Sequence, residues 1–167
     1  QAVFARLLEL GRTEENTLLL HSHFFTQDRR RTEERLGQLF GQQAPAKVDA
    51  MLVATQVIEV GLDITCEAMH TELAPVSSLI QRAGRCARNQ GEQGTVFVYD
   101  MERTSDGRRR YGPYRDDLPG GESVPNLVDR TWDALAALPE GNVDWQTETR
   151  LMEAVQGELE ARLLDLV

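Results

Sequence analysis

Four short apolar stretches set the strongest constraint on how this chain can fold. They are TLLLHSHFF (17–25), AMLVAT (50–55), the weaker run over 68–73, and TVFVYD, which follows Gly94 and ends at Asp100. None alternates apolar and polar residues as a half-exposed strand does. Such runs suit parallel strands covered on both faces. Between them lie helix-length segments. QAVFARLLEL (1–10) has apolar residues at helical spacing, with Gly11 as a stop. Residues 27–40 put Leu36, Leu39 and Phe40 on one side, with Thr26 as the cap, and a further helix is expected from Pro75 to about Asn89. Strands alternating with helices specify a doubly wound α/β domain with a parallel sheet over residues 1–101. A domain of that kind begins with a strand, so the first strand is expected to be missing from this segment.

Residues 102–125 contain Gly107, Gly112, Pro113, Pro119, Gly120, Gly121 and Pro125, and read as a linker loop. Two helices are expected beyond it, over 126–138 and 147–165, separated by Pro139 and Gly141. The second carries Leu151, Val155, Leu159 and Leu163 as an apolar stripe that must bury against protein. The formal net charge is −9. Residues 1–115 hold 15 acidic and 15 basic side chains, so all the excess negative charge lies after them. The 126–167 segment therefore reads as an acidic helical appendage that repels a phosphate backbone.

Several chemistries are excluded. Of 18 basic residues, 17 are arginine, and the lone lysine, Lys47, sits in APAKVDA. A P-loop needs Gly-Lys-Ser or Gly-Lys-Thr so that the lysine reaches the β- and γ-phosphates; this chain has none. His21, His23 and His70 are followed by Ser, Phe and Thr, so there is no His-Asp pair of a metal nuclease, and no metal is expected. Two cysteines, Cys66 and Cys86, allow neither a disulfide framework nor a C-x-x-C zinc site, which fits a reducing, cytoplasmic setting. No apolar run approaches the about 20 residues that cross a membrane, and no leader pattern opens the chain.

Two segments can carry chemistry. If SSLIQRAGRCAR (77–88) is one continuous helix, Gln81, Arg85 and Arg88 fall within about 60° of one another, opposite Leu79, Ile80, Ala83, Cys86 and Ala87. Gly84 mid-helix costs about 1 kcal/mol relative to Ala and removes a side chain from the flank. Two arginine forks aimed one way suit an anion with several oxygens, such as a triphosphate; a surface arginine pair held by Asp or Glu is the plainer reading and stays open. In ATQVIEVGLDI (54–64), Thr55 and Gln56 stand at the carboxyl end of a strand, where open α/β sheets bind ligands. Gly61 leaves backbone amides exposed, and Asp63 can accept from a ribose hydroxyl, although an ordinary capped turn accounts for the same residues. The other arginine clusters, 29–31 and 108–110, read as solvated faces.

Together the two segments become specific. TQVIEVGLDI, followed 17 residues later by QRAGRCAR, resembles motifs V and VI of superfamily 2 helicases, the signature of the C-terminal RecA-like domain. LLLHSHFFTQDRR resembles the motif IV region. The fuller wording HSHFFTQDRRRTEERL, VATQVIEVGLDI and ELAPVSSLIQRAGRCAR is most similar to the helicase part of the CRISPR-associated helicase-nuclease of type I systems. The departures are His23, where the family often has Arg, His70, where it has an apolar residue, and Glu72 in its Thr-Asp-Leu.

This resemblance implies an ATP-dependent helicase that translocates on single-stranded DNA. It implies Arg85 and Arg88 as arginine fingers, with Gln81, Gly61 and Asp63 on the nucleotide side and Arg82 in a variable role. Thr55, with Gln56 beside it, would contact the nucleic-acid backbone. ATP and Mg²⁺ would be held mainly by an N-terminal RecA-like domain of the parent chain, which would also carry a nuclease domain and work with an RNA-guided surveillance complex. The segment by itself would be inactive. Another superfamily 2 helicase, acting on RNA or DNA, or a scaffold that keeps the fold without the activity, are the competing readings.

Overall fold

The computed structural model describes residues 1–21, 26–42, 44–45, 48–114, 126–139 and 143–164, with side chains for all of these except 26–29 and 158–164. In chain order the elements are α1 (Ala2–Glu9), β1 (Thr17–Leu20), α2 (Thr26–Phe40), β2 (Met51–Ala54), a 3-10 turn (Gln56–Glu59), β3 (Ala68–Glu72), α3 (Val76–Ala83), β4 (Thr95–Tyr99), a second 3-10 turn (Gly112–Tyr114), α4 (Leu127–Ala136) and α5 (Trp145–Leu164). The chain has the α/β arrangement implied by its apolar runs. Strand β1 pairs with β2 in parallel, Thr17 opposite Met51 through Leu20 opposite Ala54. Strand β3 pairs with β4. The bonds flanking that pair, Thr95 N to the Glu67 carbonyl (2.9 Å) and Leu73 N to the Tyr99 carbonyl (2.8 Å), advance in the same direction on both strands, so this pair is parallel too.

Two compact units result, Gln1–Met69 with Gln81–Thr95, and His70–Ile80 with Val96–Val167, the division passing through β3 and α3. In the first unit Leu20, Leu36 and Ile64 are buried together, with Leu18, Phe40, Leu52, Val57, Ile58 and Leu62 packed against them. Apolar residues from both strands and from the segment after the 3-10 turn thus share one core, which fixes that turn against the sheet. In the second unit Leu73, Ala74, Leu79, Met101 and Val128 form one buried cluster. A second cluster joins Val76, Leu151 and Val155. The front half of the α5 stripe therefore buries against the start of α3; Leu159 and Leu163 lie outside the described side chains. Helix α4 begins where the Asn126 side chain accepts from Val128 N at 2.8 Å, an N-cap.

Three expectations need correction. The strand expected over 17–25 ends at Leu20, and 22–25, with His23, lie outside the described residues, as do Lys47 and 115–125. The helix expected to reach Asn89 ends at Ala83. Gly84, a poor helix former, follows, and the backbone then tightens through Arg85 N to Arg82 O and Cys86 N to Ala83 O, both 2.8 Å. Cys86 next pairs with Cys66 as a parallel bridge, so ladder bonds to a distant segment replace helix bonds. Finally, the 108–110 cluster is not uniformly solvated. The Arg109 side chain is only 10% exposed, pairs with Asp100 and Asp129, and lies over the Trp132 ring at 5.3 Å. Arg108 and Arg110 do face solvent.

Candidate nucleotide and nucleic-acid site

Strand β2 delivers Thr55 and Gln56 at its carboxyl end, both exposed. Thr55 N still bonds to the Leu20 carbonyl at 3.1 Å, so its position is tied to the ladder of β1 and β2. An open cleft of about 500 Å³ lies here, lined by Ala2, Val3, Leu19, His21, Val53 and Thr55 among others. Its lining is mostly apolar, and its polar residues are Gln1, before α1, and His21 and Thr55, just past the carboxyl ends of β1 and β2.

Thr55 also starts the 3-10 turn, its carbonyl accepting from Ile58 N at 3.2 Å. At the far end of that turn the carbonyls lack intrahelical partners. The Arg85 guanidinium supplies them, donating from Nε to the Ile58 carbonyl (3.3 Å) and from an Nη to the Glu59 carbonyl (3.1 Å). The Glu59 carboxylate in turn accepts from Arg82, at 2.9 Å from Nε and 2.8 Å from an Nη, with side chains only 11% and 13% exposed. One turn of four residues thus separates Thr55 from an arginine lattice.

Beyond it the chain passes Val60 and reaches Gly61 at φ +80°, a left-handed conformation that strains any L side chain. Nothing lies within 4 Å of where a Cβ would stand, so the glycine answers a backbone need and leaves the peptide open to a ligand. Asp63 follows, exposed, with Arg88 Nε 3.2 Å from its Oδ1. The Arg88 backbone is fixed separately. Its N–H donates to Thr65 Oγ1 (3.1 Å), whose hydroxyl donates to Glu92 (2.6 Å). Thr65 and Asn89, bonding to Glu92, hold its carboxyl below the usual range. Ala87, just before Arg88, has φ +49°, a strained turn for a non-glycine residue that aims the next side chain.

The structure brings part of the sequence-derived set together, Asp63 with Arg88 and Arg85 with the turn that follows Thr55, but not by the helical face expected of it. Gln81 is exposed on the last turn of α3, whereas Arg85 and Arg88 lie past the helix. Arg85 is seated on the 3-10 turn. Arg88 meets Asp63, and Gly61 sits two residues before that aspartate. Sequence reasoning missed Glu59, Thr65 and Glu92, because each bonds a partner 23 or more residues away in the chain. Cys66 and Cys86 sit between the two segments; burial pushes the Cys66 thiol up to about 12 and also raises that of Cys86, so both are packing groups.

The groups present are of the types that nucleotides use. Arg88 offers a fork to phosphoryl oxygens, Asp63 an acceptor to a hydroxyl, and Gly61 an uncovered backbone. Residues 1–91 match the family model described as CRISPR-associated nuclease/helicase Cas3, C-terminal. The CRISPR-associated endonuclease/helicase Cas3 of Escherichia coli (strain K12) is 38% identical over 89 residues, covering 53% of this chain and 10% of that protein. The CRISPR-associated helicase Cas3 of Thermoproteus tenax is 44% identical over 75 residues, covering 43% of this chain and 13% of that one. The crystal structure of T. fusca Cas3 superposes with a TM-score of 0.71 at 26% identity, covering 99% of this chain and 20% of that chain. The same protein with ATP superposes with a TM-score of 0.69 at 26% identity, again over 99% and 20%. The chain thus spans about a tenth of the curated relatives and a fifth of the solved structure. With motifs V and VI held in one lattice and the match running over residues 1–91, the chain belongs to the Cas3-like C-terminal family of CRISPR-associated nuclease/helicases.

Proposed function

We propose that this chain is the C-terminal RecA-like part of an ATP-dependent helicase that moves along single-stranded DNA in type I CRISPR interference. Residues 1–101 are the RecA-like part, 102–125 the linker and 126–167 the acidic helical part. The observation that carries the reading is the 3-10 turn over Gln56–Glu59 that joins Thr55, open at the carboxyl edge of β2, to Arg85, with Asp63 and Arg88 paired just beyond it.

In this reading ATP is the substrate, and an N-terminal RecA-like domain of the parent supplies the lysine and the Mg²⁺ ligands. This chain's own residues complete the site. Arg88 exchanges its exposed contact with Asp63 for phosphoryl oxygens and stabilises the charge that develops as the phosphoryl group transfers. Asp63, so released, accepts from the ribose, while Gly61 lets the nucleotide approach the backbone. Arg85 stands second, since its fork must leave two carbonyls to reach phosphate. Gln81, on the last turn of α3, faces the nucleotide. Thr55 and Gln56 hold a backbone phosphate, a contact that positions the strand without reading sequence. A nuclease domain of the parent and an RNA-guided surveillance complex are the proposed partners, on the strength of the family's CRISPR association.

The test compares two proteins. The full-length parent should hydrolyse ATP in a manner dependent on single-stranded DNA, whereas residues 1–167 alone, which contain no Gly-Lys-Ser or Gly-Lys-Thr, should show no turnover. DNA-stimulated turnover by 1–167 alone would contradict the reading.

A further inference from the structure

Glu59 occupies a peculiar place in this lattice. Its carboxylate grips Arg82 on the last turn of α3, while its own carbonyl, with that of Ile58, receives Arg85. The 3-10 turn it ends is only four residues long, and such turns are weakly held by their own bonds. What fixes the turn is therefore external. Its apolar side packs Val57 and Ile58 into the core with Leu20 and Leu36. Its polar end is clamped by two arginines three residues apart. A charge pair with both side chains close to 90% buried is a poor source of stability, because desolvation offsets much of its attraction; what it retains is directionality. Arg82 and Arg85 grip successive groups of the same residue, so any shift of the turn moves both arginines. At the opposite end, Thr55 is the capping residue immediately before that same turn.

We propose that the Glu59–Arg82 pair is the positioning element that couples nucleic acid at Thr55 to the arginines of the nucleotide site, a role that rests on the function proposed above. A strand held at Thr55 fixes the start of the turn. The turn carries that constraint over four residues to Glu59. The charge pair then transmits it to α3 and to the segment bearing Arg85 and Arg88. Neither Glu59 nor Arg82 need touch substrate.

The experiment uses the full-length parent with Glu59→Ala, Arg82→Ala, Arg82→Lys and the double Glu59→Ala/Arg82→Ala, and reads thermal unfolding, single-strand affinity, the KM for ATP, and turnover with and without single-stranded DNA. Each alanine variant should lower DNA-stimulated kcat by about tenfold, the middle of the range for coupled neighbours, and the double should be no worse than either single. Single-strand affinity and the KM for ATP should stay near wild type, and basal turnover should fall less than stimulated turnover, so that the stimulated-to-basal ratio drops. Arg82→Lys keeps the charge and should restore part of the stimulation. If the variants only lower the unfolding temperature and leave the stimulated-to-basal ratio intact, the pair is structural and the proposal is wrong. Additive effects in the double would also overturn it. Failure of the underlying reading looks different: the wild-type parent itself would show no DNA-stimulated turnover, or Thr55→Val would leave that stimulation unchanged.

Discussion

Arg88 and Asp63 face each other across 3.2 Å with both side chains substantially open to solvent. An exposed pair of this kind contributes at most about 1 kcal/mol, so it does not hold the fold together. Its value lies in poise, since either partner can exchange the other for a ligand. Asp63→Ala should therefore leave the unfolding temperature of the parent nearly unchanged. It should raise the KM for ATP about tenfold, as loss of a charge-assisted hydrogen bond of about 1.5 kcal/mol implies. Steady-state kinetics beside a thermal melt check both halves; a lower melting temperature with an unchanged KM would assign Asp63 to structure.

Thr55 should respond to nucleic acid instead. Thr55→Val keeps the shape and the backbone bond to Leu20 while removing the hydroxyl. Single-strand affinity should fall two- to tenfold, about the net worth of one solvent-accessible hydrogen bond, roughly 0.5–1.5 kcal/mol, and by similar factors for unrelated sequences. Titrating several oligonucleotides at one salt concentration settles it. A loss confined to one sequence would argue against a phosphate contact.

Acid stability should depend on Asp100. Arg109, and after it Arg103, hold this carboxyl down to about 2. The folded state therefore resists protonation while the unfolded chain takes up the proton near pH 4. The stability from this group is complete above about pH 4 and is lost as pH falls from there toward 2. Asp100→Asn should be less stable than wild type at neutral pH and lose less on acidification across that window. Chemical denaturation at steps between pH 5 and 2 reads this directly; parallel curves would mean that Asp100 is not responsible.

Ala87 offers a test of stored strain. Its φ of +49° is a conformation that glycine adopts without penalty. Ala87→Gly should therefore raise stability by up to about 1 kcal/mol, less the entropy that glycine loses on folding. If that turn aims Arg88, turnover should nonetheless fall. A variant both less stable and equally active would contradict this account of the turn.

How much of this was legible in the sequence depends on range. Strands β1 and β2 announce themselves as apolar runs, and their burial against Leu36 and Ile64 follows from local pattern. The candidate residues were legible too, because Thr55, Gly61, Asp63, Arg85 and Arg88 stand in recognisable wording. Their arrangement was not. A helix carried to Asn89 is the best local solution, and what ends it at Ala83 is a ladder between Cys86 and Cys66, 20 residues away in sequence. Likewise Arg109 differs from its neighbours Arg108 and Arg110 only through Asp100 and Asp129, nine and 20 residues off. Buried ion pairs such as Glu59–Arg82 leave no periodic trace, so a linear pattern does not reveal them.

The most direct measurement is single-turnover ATP hydrolysis by the full-length parent saturated with single-stranded DNA, comparing wild type with Arg88→Ala and Arg88→Lys. Arg88 is the more open of the two arginines, and its contacts to Asp63 and solvent bear little on stability, so folding and single-strand affinity should persist in both variants. The account predicts a loss in rate of about 10³- to 10⁵-fold for Arg88→Ala, with little rescue by lysine, which lacks the planar fork. A correctly folded Arg88→Ala protein that hydrolyses ATP at most of the wild-type rate would contradict it.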